Sequence, residues 1–146
     1  MNGIKIKVVD SESDMAIAYA IRSAVFTDEQ RIPAAVDIDG KDKNAVNILA
    51  WGDSKAIGTG RLYPVNDHLG EIARIAVAEE YRGAGVAKLI IQKLETLARK
   101  QGLKELTLWP HERLKAFYES LGFEVMPNQR QVVAGYPLIK MHKIID

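Results

Sequence analysis

The sequence predicts a mixed α/β fold: a mainly antiparallel central sheet of six to seven strands, flanked by about four helices, with one parallel strand–helix–strand unit at its centre. Three observations carry this. Strand-like runs at 45–51, 55–63 and 69–77 follow one another through links of a few residues, and such short links favour antiparallel neighbours. A long amphipathic run at 83–100 separates the strand pattern at 69–77 from another at 104–109, and the right-handed crossover rule makes those two strands parallel neighbours. The 146 residues, 47% hydrophobic and 27% charged, suit one core and contain no repeat or linker, so 1–146 reads as a single domain.

The elements follow in order. Residues 4–9, IKIKVV, alternate as a strand does. Ser11 to Asp14 open a helix, with Ser11 or Ser13 as its cap and Ile17, Ala20, Ile21, Ala24 and Val25 as its apolar face. The segment 33–44, PAAVDIDGKDKN, is rich in turn formers and reads as a loop. Gly52-Asp53-Ser54 turns the chain between the next two strands, and Pro64-Val65-Asn66-Asp67 turns it again. The helix from about Gly83 to Lys100 places Val86, Leu89, Ile90, Leu94 and Leu97 on one face, and Gly102 stops it. Pro110 ends the strand 104–109, a short helix spans 112–121 up to Gly122, and 123–126 with 136–145 form a last strand pair.

Composition narrows the function. A formal net charge of +1 offers no field for nucleic acid or an anionic membrane. No apolar run is long enough to cross a bilayer, and the N-terminal MNGIKIKVVDSESD lacks a signal peptide's apolar segment, so a cytoplasmic protein is expected. The absence of cysteine excludes disulfides, thiolate metal sites and a cysteine nucleophile. His111-Glu112-Arg113-Leu114-Lys115 starts like a zinc motif but ends in lysine, so no metal is expected. Asp37-Ile38-Asp39-Gly40-Lys41-Asp42 resembles a calcium loop without its closing glutamate; it reads as a solvated turn whose acidic surface is open to a cationic acceptor.

The most informative stretch is EEYRGAGVAKLIIQKL, residues 79–94. A helix usually starts at Ser, Thr, Asp or Asn, whose oxygen takes up a free N–H. Here the start is Arg82-Gly83-Ala84-Gly85, and arginine is only a donor. Bare N–H groups at the positive end of a helix dipole make an anion site, and glycines let a phosphate come close. A P-loop is absent. A dinucleotide fingerprint fails too, because Lys88 stands at its third glycine and no acid follows at the required distance.

Arg82-x-x-Gly85-x-Ala87 matches the [RQ]-x-x-G-x-[GA] signature, and the chain is thereby similar to the GNAT N-acetyltransferases. GEIARIAV upstream resembles that superfamily's fourth strand, and AFYESLGFEV downstream resembles its aromatic helix with the strand that follows. AVFTDEQRIPAAVDIDGKD and GYPLIKM resemble, more loosely, a bacterial subgroup of mostly uncharacterised members. The resemblance implies acetyl-CoA as co-substrate, its pyrophosphate held by Arg82, Gly83, Ala84, Gly85, Val86 and Ala87. It implies that a bulge and a splayed neighbouring strand free main-chain groups of Ile75, Ala76 and Val77 to polarise the thioester carbonyl. Tyr118 matches the tyrosine that protonates the departing sulfur. Glu71 matches a glutamate that serves as base in the histone-acetylating branch, with Glu29 as the alternative. His111 stands where many members have an asparagine that contacts pantetheine, and Leu114 where a small residue is usual. Arg74, alternating to the other face from Glu71, is placed to pair a carboxylate or brace the sheet.

The expected function is acetyl transfer from acetyl-CoA to a primary amine of a small molecule or peptide, by direct attack and with no acetyl-enzyme. The alternatives are a non-catalytic acyl-CoA-binding module and, further off, another nucleotide binder. A homodimer through the C-terminal strands is an analogy with relatives.

Overall fold

Residues 3–146 are described by the computed structural model. Seven strands form one sheet in the order β1-β2-β3-β4-β5-β7-β6. They are β1 (Lys5–Val8), β2 (Val46–Gly52), β3 (Lys55–Pro64), β4 (Leu69–Val77), β5 (Glu105–Leu108), β6 (Glu124–Val133) and β7 (Tyr136–Ile144). Only β4 and β5 run parallel, joined by the predicted crossover through α3 (Val86–Lys100). The other α-helices are α1 (Glu12–Arg22), α2 (Ala34–Asp37) and α4 (Lys115–Ser120).

Local chemistry explains most boundaries. Ser11 caps α1, its Oγ accepting from the Asp14 N–H at 3.1 Å. The β2–β3 turn places Asp53 and Ser54 at φ 52° and 66°, the left-handed pair that a two-residue hairpin requires. α3 ends in a Schellman arrangement: the Leu103 N–H donates to Ala98 O, the Gly102 N–H to Arg99 O, and Gly102 sits at φ 79°. Its inner side buries Val86, Ile90, Ile91, Leu94 and Ala98 against β3 and β4, each large aliphatic chain worth ~1.5–3 kcal/mol. That contact is close because β3 carries glycines beneath it. A Cβ on Gly60 would stand 2.6 Å from Ile90 Cγ2, and one on Gly58 2.9 Å from Ile90 Cδ1.

Two irregularities open the sheet at its middle. β4 pairs with β5 only over Leu69–Glu105, Gly70–Leu106 and Glu71–Thr107, and past Glu71 the strands part. Pro110, which has no N–H, follows the end of β5, and its carbonyl accepts from Ile139 of β7 instead. On the opposite side of β4, Arg61 faces Ala73 but Thr59 faces Ala76, so Arg74 and Ile75 together stand across from Gly60. This is a bulge, and Arg74 adopts a left-handed φ of 59° within it.

Several elements depart from the sequence reading. α1 and the turn that continues it bring Ala18, Arg22 and Val25 inward and leave Ala20 and Ala24 exposed, because the inward face is led by a charge rather than by the apolar residues. On α3, Leu89 is 39% exposed and Ile91 takes the place expected for it. The segment after Arg22 widens into a π-helix, Ser23–Glu29. The expected loop at 33–44 contains α2 and a 3-10 turn, Asp42–Asn44. The expected helix at 112–121 divides into a 3-10 turn, Glu112–Leu114, and α4. β6 continues well past Met126 despite its polar, exposed residues, since hairpin pairing to β7 rather than burial holds it.

Candidate active site

The head of α3 answers the capping question. Gly85 is the N-cap at φ 81° and offers no side chain. Among the described residues nothing accepts from the N–H groups of Gly83, Gly85, Val86, Ala87 or Lys88, and the ladder begins with Leu89 donating to Gly85 O at 3.2 Å. A Cβ on Gly83 or Gly85 would meet nothing within 4 Å, so the space in front of these donors is open. The Ala84 N–H is likewise without an acceptor, and six free donors at the positive end of a four-turn helix fit a diphosphate. Arg82 stands beside them but is partly committed: Nη2 lies 2.8 Å from Glu29 Oε1, and Nε donates to Val77 O at 3.0 Å.

The parting of β4 and β5 makes a cleft of about 440 Å³. Glu71, Ile75, His111 and Tyr118 all line it, so four of the residues singled out from sequence converge. Ala76, Val77 and the loop 82–87 do not line it; the loop lies beyond Ile75 along the same strand. Glu29 does not line it either, and its carboxylate serves Arg82 rather than an acceptor amine.

Tyr118 is 6% exposed, with its ring edge-on to Phe117 and Phe123 at centroid distances of 5.1 and 6.0 Å. The helix-ending Gly122 at φ 95° brings Phe123 back against it. Burial pushes its hydroxyl pKa up to about 12, so it carries its proton throughout the neutral range. Glu71 is paired at 3.8 Å with Lys41, whose ammonium also lies 5.1 Å from the Tyr63 ring centroid. His111 packs on Tyr136 at 4.7 Å, and burial, with Arg113 nearby, lowers its pKa, leaving a neutral ring. Tyr136 in turn donates to Gln30 O at 2.9 Å, tying β7 to the segment after the π-helix.

The acidic run is not a solvated turn. Asp37, Asp39 and Asp42 interlock with Arg22, Arg61 and Arg74. Arg22 Nε lies 3.1 Å from Asp37 Oδ1, and its Nη1 lies 2.9 Å from Asp42 Oδ1. Arg61 Nη1 and Nη2 each donate to Asp39 at 3.0 Å. Arg74 reaches Asp37 Oδ1 and Asp39 Oδ2, both at 3.1 Å. Arg22 and Arg61 side chains are only 1% exposed. Three carboxylates meet three guanidiniums, so no net acidic surface is left for a cationic acceptor. Despite their burial, hydrogen bonds from Arg61 hold the Asp39 carboxyl well below the usual carboxylate range, and those from Arg22 lower Asp42.

Phe26, Gln30 and Trp109 also line the cleft, and sequence reasoning did not single them out. Phe26 and Gln30 arrive there through the π-helix, for which no spacing signal exists; Trp109 was visible only as the end of a strand before Pro110. The three arginines are spread from 22 to 74, and their convergence on one acidic run is a product of the fold. No group of three or more metal-ligating side chains clusters among the described residues, and no helix there is long and apolar enough to cross a membrane.

Comparison with known proteins agrees with this geometry. The uncharacterized N-acetyltransferase YjcF of Bacillus subtilis is 29% identical over 96% of this chain and 99% of its own. The crystal structure of Escherichia coli ElaA superposes with a TM-score of 0.85 at 28% identity, covering 97% of this chain and 99% of its own. A GNAT family acetyltransferase from Elizabethkingia anophelis, solved with acetyl-CoA bound, shares the fold at a TM-score of 0.77 and 18% identity, over 99% of both chains. The family model for GNAT acetyltransferases matches residues 15–123, from the first helix through the glycine loop before α3 to the end of α4. On that match the chain belongs to the acetyltransferase (GNAT) family.

Proposed function

We propose that this protein moves an acetyl group from acetyl-CoA to a primary amine of a small molecule or peptide, by direct attack of the amine and without an acetyl-enzyme. The observation that carries the reading is the row of unbonded N–H groups from Gly83 to Lys88, which follows β4, the strand that carries Glu71 and borders the cleft lined by Tyr118. Acetyl-CoA, when bound, supplies the thioester carbonyl that is attacked and the sulfur that leaves.

The chain supplies the rest. The amides of residues 83–87, with Arg82 alongside, would hold the diphosphate. The main chain of Ile75 and Val77, on the edge of β4 that β5 leaves free, would donate toward the carbonyl oxygen, while Ala76, opposite Thr59 of β3, turns its N–H the other way. His111 would border the pantetheine arm with a neutral ring. An acceptor amine with an ordinary pKa near ~10 is mostly charged at neutral pH, so a base is needed, and Glu71 is our assignment. Glu71 would take the proton whose loss frees the ammonium's lone pair. As the C–N bond forms and the C–S bond breaks, Tyr118 would give its proton to the sulfur and be reprotonated by the second proton that leaves nitrogen.

Calorimetry with acetyl-CoA and with NAD, followed by thiol release across a panel of amines, tests this. Acetyl-CoA binding with turnover on at least one amine is expected. No acetyl-CoA binding would overturn the reading. Binding without turnover on any amine would leave the non-catalytic acyl-CoA-binding module in its place.

A further inference from the structure

We infer that Arg74 is a positioning residue for acetyl transfer, clamping the bulge of β4 to the segment Val36–Asp39 so that the main chain from Ile75 onward keeps its direction along the edge that β5 leaves free. The inference rests on the transferase reading above and concerns how its carbonyl-binding strand is held. Three observations support it.

The first is the backbone. Arg74 sits at φ 59°, where a residue with a side chain is disfavoured and where surrounding structure must hold it. The second is the side chain. Its guanidinium makes contacts that supply that hold: Nε donates to Asp37 O at 3.0 Å and lies 3.1 Å from Asp37 Oδ1, while Nη2 reaches Val36 O and Asp39 Oδ2, each at 3.1 Å. Both carboxylates are held from behind by other arginines, Asp37 by Arg22 and Asp39 by Arg61, so the clamp is fixed to α1 and β3 and does not swing with the loop. The third is register. Arg74 is one of the two residues opposite Gly60, and losing that extra residue would turn every later position of β4 to its other face. The direction of the Ile75, Ala76 and Val77 main chain therefore depends on the bulge that Arg74 occupies.

Glycine accepts a positive φ without strain, so Arg74→Gly keeps the bulge accessible while removing the clamp. Asp39→Asn removes one charge and preserves shape. The expected result for Arg74→Gly is acetyl-CoA affinity within about twofold of wild type and a kcat lower by about 10- to 100-fold, since a small misplacement of a positioned group costs rate on that order. Amide hydrogen exchange of residues 75–77, read without any substrate, is expected to quicken in both variants. Asp39→Asn should lower kcat less, and adding it to Arg74→Gly should have little further effect, as for partners in one network. Arg74→Lys, with one point charge in place of the fork, should restore kcat only in part. Wild-type kcat in Arg74→Gly, or unchanged exchange at 75–77, would overturn the inference. Full additivity of the two substitutions would also overturn it. Absence of turnover in the wild-type protein falls on the transferase reading alone, because the exchange measurement still decides whether the clamp exists.

Discussion

The two walls of the candidate site are built from opposite materials. The loop 82–88 is backbone: exposed, glycine-bearing, with donors left free and open space before them. The wall formed by the ionic cluster is side chain: three aspartates and three arginines, mostly buried and nearly all partnered. The first wall waits for a ligand, since its unmet N–H groups gain most when an anion arrives. The second is already satisfied, and its work is to hold shape. A free-donor site tolerates little added at its surface, whereas a closed ionic cluster tolerates little taken from its interior.

That contrast can be broken by substitution. The largest expected effect is at the loop: Gly85→Asp puts a carboxylate where a diphosphate would sit and should abolish the calorimetric signal for acetyl-CoA. Its backbone penalty at φ 81° is on the order of 1 kcal/mol, so the protein should remain folded. Retained binding would mean the loop is not the anion site. In the cluster, Asp42→Ala should show the reverse behaviour. It strips a partner from the buried Arg22 and Arg61, and breaking a buried pair costs ~3–5 kcal/mol. Denaturant unfolding should register that loss, while acetyl-CoA affinity of the folded fraction stays near wild type. If Asp42→Ala weakened the cofactor as Gly85→Asp does, the walls would not be separable.

Between the walls, Tyr118→Phe should reduce kcat by about 100-fold with little change in acetyl-CoA affinity. It also carries a pH signature. The folded pKa of about 12 lies above the ordinary value of 10.0. The stability contributed by the neutral phenol is therefore fully present below pH ~10 and lost as pH rises through ~12, about 3 kcal/mol in all. The phenylalanine variant should lack that part of the alkaline decline, and an identical decline in both proteins would show the hydroxyl is not buried in solution. The smallest effect is expected beside the loop. Glu29→Gln releases Arg82 from an ion pair in which both side chains are about a third exposed or more, and exposed pairs are weak. Acetyl-CoA binding should tighten by only about two- to fivefold; weaker binding would mean Glu29 orients Arg82 rather than competing for it.

What could be read in advance divides along the same line. The absence of a polar cap at 82–85, the glycine stop at 102 and the Phe-Tyr pair before Gly122 are local, and each follows from the chemistry of a few adjacent residues. Helices form at those places, though the one carrying the Phe-Tyr pair is shorter than expected, and the parallel pairing of β4 with β5 follows from the handedness of a crossover. The burial of Arg22 was not legible, because an arginine on a helix face ordinarily points to water. Asp37, Asp39 and Asp42 looked solvated for the same reason, and their partners lie about 15 to 40 residues away in sequence.

By itself the sequence determined the donors: a glycine-bearing helix start has no local side chain to cap its N–H groups. Tertiary structure alone decided the ionic wall and the left-handed turn at Arg74. Charge pairing depends on distance through space, and that distance exists only once α1, β3, β4 and the loop between α1 and β2 have packed together.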